Sequence, residues 1–153
     1  MTELYFEDFA VGQTFSSAKP LRVDKADIFD FAGKYDPQPF HLDEVAARQS
    51  IFRGLSASGW HTAAMTMRLI TDSDFKAAGG TIGLGFDTMR WPTPVRPGDE
   101  LRIESEILEL RPSQSRPDRG LMKVRTRTLN QNGDIVQELT ANVMVPRRPE
   151  PSP

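Results

Sequence analysis

The 153-residue chain has no cysteine and only two histidines, His41 and His61. Without cysteine there is no disulfide framework and no thiolate metal site. A zinc site would have to lean on carboxylates, and no His-x-x-x-His spacing offers one. An excess of positive charge is missing as well. Nineteen Lys and Arg stand against 21 Asp and Glu, a formal charge of -2, so no basic footprint for nucleic acid is present. No apolar run approaches the ~20 residues that cross a bilayer. The first residues, Met1-Thr2-Glu3-Leu4-Tyr5-Phe6-Glu7-Asp8, are acidic where a signal peptide would be basic and then apolar. A cytoplasmic protein that binds neither membrane nor nucleic acid is expected. No internal repeat is visible, and the length suits one domain with one core.

What is present begins with Asp36-Pro37-Gln38-Pro39-Phe40-His41. Both prolines disfavour helix at the residues before them, so an extended or turn segment of nearly fixed shape is expected. A stiff loop holding a carboxylate and an imidazole in fixed relation suits general acid–base work. The structural alternative is a rigid surface turn in which Asp36 caps and His41 opens the next helix.

The remaining pattern is mixed. Tyr5 to Phe15 reads as an entry segment with a turn at Gly12, and Gln13 to Arg22 as a weak strand interrupted by Pro20. Asp24 is placed to cap a helix that carries Ile28, Phe31, Ala32 and Tyr35 on one side and stops near Gly33. Asp43 to Gln49 predicts a short helix with Val45, Ala46 and Ala47 inward. A loop carrying Phe52 leads to a helix over Ser58 to Ile70, capped by Ser58. Its stripe of Trp60, Ala63, Ala64, Met67 and Ile70 has helical period. His61, on the same helix, reads as a cap, a contact with a partner chain or a catalytic group. From Gly83 the pattern becomes strands: Gly83 to Trp91 with Leu84, Phe86, Thr88 and Arg90 on one face, Glu100 to Leu110, Leu121 to Leu129 and Ile135 to Val145. The last two are joined by a turn at Asn132-Gly133. Arg111, Arg116 and Arg119 lie on a polar loop that either meets phosphate or stays solvated, paired with Asp118. Pro146 to Pro153 reads as a tail with nothing to bury.

Asp-x-x-Pro-x-His, followed by an Ala-rich helix and then a glycine opening an apolar helix, resembles the MaoC-like, (R)-specific enoyl-CoA hydratase family. Pro94-Val95-Arg96-Pro97-Gly98-Asp99 is similar to a strand connection common in proteins of the same fold. The usual motif is Asp-x-Asn-Pro-x-His, often after Gly; here Gln38 replaces the Asn and Tyr35 precedes Asp36. The resemblance implies an α+β hotdog domain over residues 1–148, a curved antiparallel sheet wrapped around a central helix, with a disordered tail over 149–153. It implies reversible addition of water to a 2-enoyl-CoA or acyl-carrier thioester, without cofactor or metal, in a homodimer. Asp36 and His41 match the catalytic pair. Gly59 matches the glycine whose N–H meets the thioester oxygen, preceded here by Ser58 where the family often has His. The open N–H groups and dipole of a helix start suit that role. Phe40, Phe52, Ser58 and Trp60 are the expected substrate contacts. A thioesterase of the same fold, or a non-catalytic acyl-thioester-binding subunit, are the alternatives.

Overall fold

The computed structural model describes residues 3–151. After a short 3-10 turn at Phe6–Asp8 the elements run β1 (Thr14–Ser16), β2 (Leu21–Arg22), α1 (Lys25–Tyr35), α2 (Pro39–Leu42), α3 (Glu44–Arg48), α4 (Gly59–Thr71), β3 (Ile82–Arg90), β4 (Glu100–Pro112), β5 (Arg119–Leu129) and β6 (Ile135–Pro146). The strands form one antiparallel sheet in the order β1-β4-β5-β6-β3, with β2 also on β4. Pro20, with no N–H to give, separates β1 from β2. α4 packs on β4 and β6, which makes this the hotdog arrangement.

The main core lies between sheet and helices. Leu101 and Ile103 of β4, Val136 of β6, Met65 and Leu69 of α4, and Ile28 of α1 are buried together. The alternation of Leu101, Ile103, Ser105 and Ile107 does point inward as its period requires. Three of the sheet's inward positions, Ser105, Thr126 and Thr128, are polar and satisfied by hydroxyl partners. Ser105 and Thr126 share a hydrogen bond of 2.7 Å, and Thr128 shares one of 2.6 Å with Thr66 of α4. A second cluster gathers Phe9, Phe15 and Phe75 with Ile107 and Met122.

Several local expectations are corrected. The first long helix runs through Gly33 to Tyr35. Its stop is set by Pro37, which forces Asp36 out of the helical region (φ -151°, ψ 67°). Ile28 and Ala32 are fully buried on its inner face, while Tyr35 is exposed. On α3 only Ala47 is buried; Val45 is exposed. On α4 the buried face is His61, Thr62, Met65, Thr66 and Leu69. The apolar stripe read from sequence is rotated outward, with Trp60 56% and Met67 52% exposed. Thr62 and Thr66 enter the core because each hydroxyl has an oxygen to bond, from Ser58 and Thr128. The tail begins docked: Arg147 meets Glu7 at 3.1 Å and Arg148 meets Asp8 at 2.6 Å. Of the tail expected to be disordered, 152 and 153 lie outside the described residues. No helix among the described residues is long and apolar enough to cross a membrane.

Candidate active site

The proline-stiffened segment is extended to Gln38 and then becomes one helical turn. Pro39 opens α2 at the first helical position, where its missing N–H and fixed φ cost nothing. His41 is therefore on a helix and not on the loop proper, and its side chain is buried, 6% exposed. Asp36, at the C-terminal end of α1, faces it: Asp36 Oδ2 and His41 Nε2 are 3.5 Å apart.

Both groups are held from behind. His41 Nδ1 lies 2.6 Å from the Ser56 carbonyl oxygen. A carbonyl only accepts, so Nδ1 carries a proton, and Nε2 is the ring nitrogen turned to Asp36. Ser58 Oγ donates to Asp36 Oδ2 at 2.7 Å and accepts from Trp60 N at 3.2 Å, capping α4 in the same step. Ser58 is thus both an N-cap and the anchor of the carboxylate. Phe40 packs edge-on against the His41 ring with centroids 4.7 Å apart, and Phe52 packs on Phe40 at 5.0 Å.

His41 opens onto a cavity of about 390 Å³. Its walls come from two segments, Ile51 to Ala57 and Trp91 to Val95, with Gly59 and Thr62 of α4 and Val136 of β6. Of the residues expected at the site, His41, Phe52 and Gly59 line this cavity. Asp36 and Ser58 do not line it, and Phe40 braces the imidazole without lining it. Trp60 turns outward against Trp91, ring centroids 5.6 Å apart.

Gly59 is the first residue of α4, and its N–H has no acceptor among the described residues. A Cβ at this position would lie 2.7 Å from the Trp91 indole, so the glycine is required by a neighbour within the chain. The indole is pinned by a 2.8 Å hydrogen bond from Nε1 to Gln137 Oε1 on β6, a fully buried residue. Sequence reading missed Trp91 and Gln137, and only the Trp-Pro pair hinted that residue 91 left the strand.

His61 is set apart from this cavity. It stacks on Phe31, centroids 4.8 Å apart and rings 8° from parallel, and its buried Nδ1 has no partner. Burial pulls its pKa below the usual histidine value, against the opposing field of Asp27. Arg119, at the start of β5, pairs with Asp118 at 2.9 Å, while Arg111 on β4 and Arg116 on the connecting loop are exposed.

A sheet wrapped on a central helix, with an aspartate–imidazole pair beside that helix's start, defines a hotdog domain with a candidate acid–base site. The chain matches the MaoC-like domain over residues 8–130 and belongs to that family. It is 36% identical over 141 residues to the Bacillus subtilis protein YdeM, covering 92% of this chain and 98% of that one. A MaoC-like dehydratase from Rhodospirillum rubrum has the same fold at a TM-score of 0.91 and 56% identity, over 96% of this chain and 99% of its own. The (R)-hydratase PhaJ1 from Pseudomonas aeruginosa superposes with a TM-score of 0.73 at 29% identity, over 99% of this chain and 95% of its own.

Proposed function

We propose that the protein is a hydro-lyase that adds water reversibly to the 2,3 double bond of an enoyl thioester. The observation that carries this reading is the Asp36–His41 pair, 3.5 Å apart, with Nδ1 tied to the Ser56 carbonyl and the imidazole lining a cavity of about 390 Å³. When Asp36 is a carboxylate and His41 carries its proton on Nδ1 alone, both facing atoms are acceptors. A water donating one O–H to each has its lone pairs free for C3. One of the pair takes the water's proton as the C3–O bond forms and the π electrons move toward the thioester carbonyl. That proton then goes to C2 on the same face, so water's two parts end on C3 and C2 and no other reactant is consumed. The reading gives the Gly59 N–H to the enolate oxygen; a donor of this kind is typically worth ~3–4 kcal/mol. Phe52 serves as an acyl wall, while Phe40 and Ser58 hold His41 and Asp36 in place. No cofactor or metal enters this scheme.

The acyl carrier is CoA or an acyl carrier protein, and the compartment is the cytoplasm. The active form in this reading is a homodimer, because β3 leaves an apolar edge uncovered. The test is a panel of enoyl-CoA substrates of different chain length, followed by loss of absorbance from the conjugated double bond. Turnover of at least one substrate is expected; inertness to all, with thioester cleavage instead, would replace hydration by hydrolysis.

A further inference from the structure

A second opening, of about 500 Å³, abuts the catalytic cavity along both of its walls. Residues 51–52 and 56–57 face the catalytic side, while 53–55 between them face the second cleft; likewise 91–95 face one and 96–97 the other. Four cationic side chains line this cleft, Lys25, Arg48, Arg53 and Arg96, with one carboxylate, Glu44. Glu44 is already engaged: Lys25 Nζ lies 2.5 Å from its Oε1, and this hydrogen bond, then the Lys25 charge and to a lesser degree Arg48, holds its pKa below the usual range. Arg96 is spent on neutral acceptors. It donates to the carbonyls of Gly54 at 2.8 Å and Leu55 at 3.2 Å, and also to that of Phe52, so its charge is not cancelled. Gly54 permits this approach, since a Cβ there would meet Arg96 Nη1 at 3.2 Å. Neither Arg48, Arg53 nor Arg96 has an ion-pair partner among the described residues.

Exposed arginines are commonly just solvated. Here the backbone argues for more. Arg53 is the one non-glycine residue among those described with positive φ, 56°. Left-handed backbone is unfavourable at such a residue, and Arg96 bonds the carbonyls on both sides of it, those of Phe52 and Gly54. The outcome is an arginine presented at the lip between the two cavities. Guanidinium forks suit phosphate oxygens, and a cleft in which cations outnumber carboxylates concentrates anions.

We infer that this cleft receives the phosphate end of a pantetheine thioester, with Arg48 and Arg53 as its direct contacts, while the acyl end lies against His41. The inference rests on the thioester reading of the catalytic cavity. The phosphate belongs either to CoA's nucleotide or to the 4′-phosphate that CoA shares with a carrier protein's arm.

The test is calorimetric binding of free CoA, 4′-phosphopantetheine and pantetheine to wild type and to Arg48→Gln/Arg53→Gln. CoA affinity should fall about tenfold for each charge-assisted hydrogen bond removed, with pantetheine unaffected. An equal weakening for 4′-phosphopantetheine assigns the shared phosphate; a weakening for CoA alone assigns the nucleotide. Wild type that binds neither phosphorylated compound, a double variant that binds CoA as wild type does, or an equal weakening for pantetheine, each overturns the inference. Both arginines are exposed, and the single variants carry the test if the double variant melts early. Where an enoyl-CoA is turned over, its KM should rise with kcat kept, and an enoyl-N-acetylcysteamine thioester should show neither change. Absence of turnover in wild type strikes the hydration reading alone, because the binding measurements need no chemistry.

Discussion

Pro37 and Pro39 do different work within three residues. Pro37 ends α1 at Asp36, and Pro39 starts the turn that carries His41. The carboxylate and the imidazole are thereby brought face to face by local backbone rules, which is why their pairing was legible in six residues of sequence. Their supports were not. The Ser56 carbonyl that holds Nδ1 is a backbone acceptor, and every residue type has one. Asp36→Asn and His41→Gln nearly keep shape, so each should lower turnover by about 10²–10⁴ with the melting temperature little changed. Unaltered activity in a folded variant removes that residue from the reaction. His61 allows a separate prediction. Its pKa is lowered in the folded protein, so between that lowered value and the unfolded value near 6.5 the unfolded chain binds more protons. Stability should then rise with pH across this window and fall as the pH drops through it. His61→Phe, which keeps a ring against Phe31, should flatten that part of the pH dependence of the melting temperature relative to wild type. Parallel curves for the two proteins would show that His61 does not titrate against folding.

At the scale of elements, α4 shows where periodicity informs and where it misleads. Its start at Ser58 and its length followed from capping and pattern. Its inward face did not, because Thr62 and Thr66 are counted as polar by any hydropathy pattern, yet each is satisfied inside. A hydroxyl's partner 62 residues away, Thr128, cannot be read from the helix itself. Separation along the chain likewise hides the neighbour at its N-terminus. Gly59 looks like a residue kept small for a ligand, but the Trp91 indole already occupies the space beside its Cα. Gly59→Ala retains the N–H and should push on the indole, costing ~1–3 kcal/mol as overpacking does. In a domain of this size that is roughly 2–4 °C of melting temperature per kcal/mol. Trp91→Ala makes room, so the double variant should lose less than the sum of the singles. Strict additivity would mean that the two residues are not energetically coupled. A proline at 59 would bring a Cβ against the same ring, so only variants that relieve Trp91 isolate the N–H.

For the whole molecule, the uncovered surface is the remaining problem. β3 pairs with β6 on one side only and is exposed along nearly its whole length. Ile82, Leu84 and Phe86 alternate along it, each more than half exposed. An apolar edge strand of this length invites pairing with another chain. On α4 the outward stripe adds Trp60 and Met67, and Trp91 stands beside Trp60. From sequence, Trp60 and Met67 belong to one apolar helical stripe, and Leu84 and Phe86 to one face of a strand; hydrophobicity alone does not say which chain covers such a face. A second copy is the occupant the reading requires, since it removes the edge and brings the two-tryptophan corner near the catalytic cavity under cover at once. Light scattering at micromolar concentration should therefore give at least twice the mass of one chain. Leu84→Lys/Phe86→Lys places two charges on the exposed edge without touching the residues around His41. The variant should shift to the mass of one chain while its sheet content by circular dichroism is kept. If it stays associated, the interface lies elsewhere; if wild type is itself monomeric and soluble, the apolar edge is tolerated uncovered and the dimer is rejected.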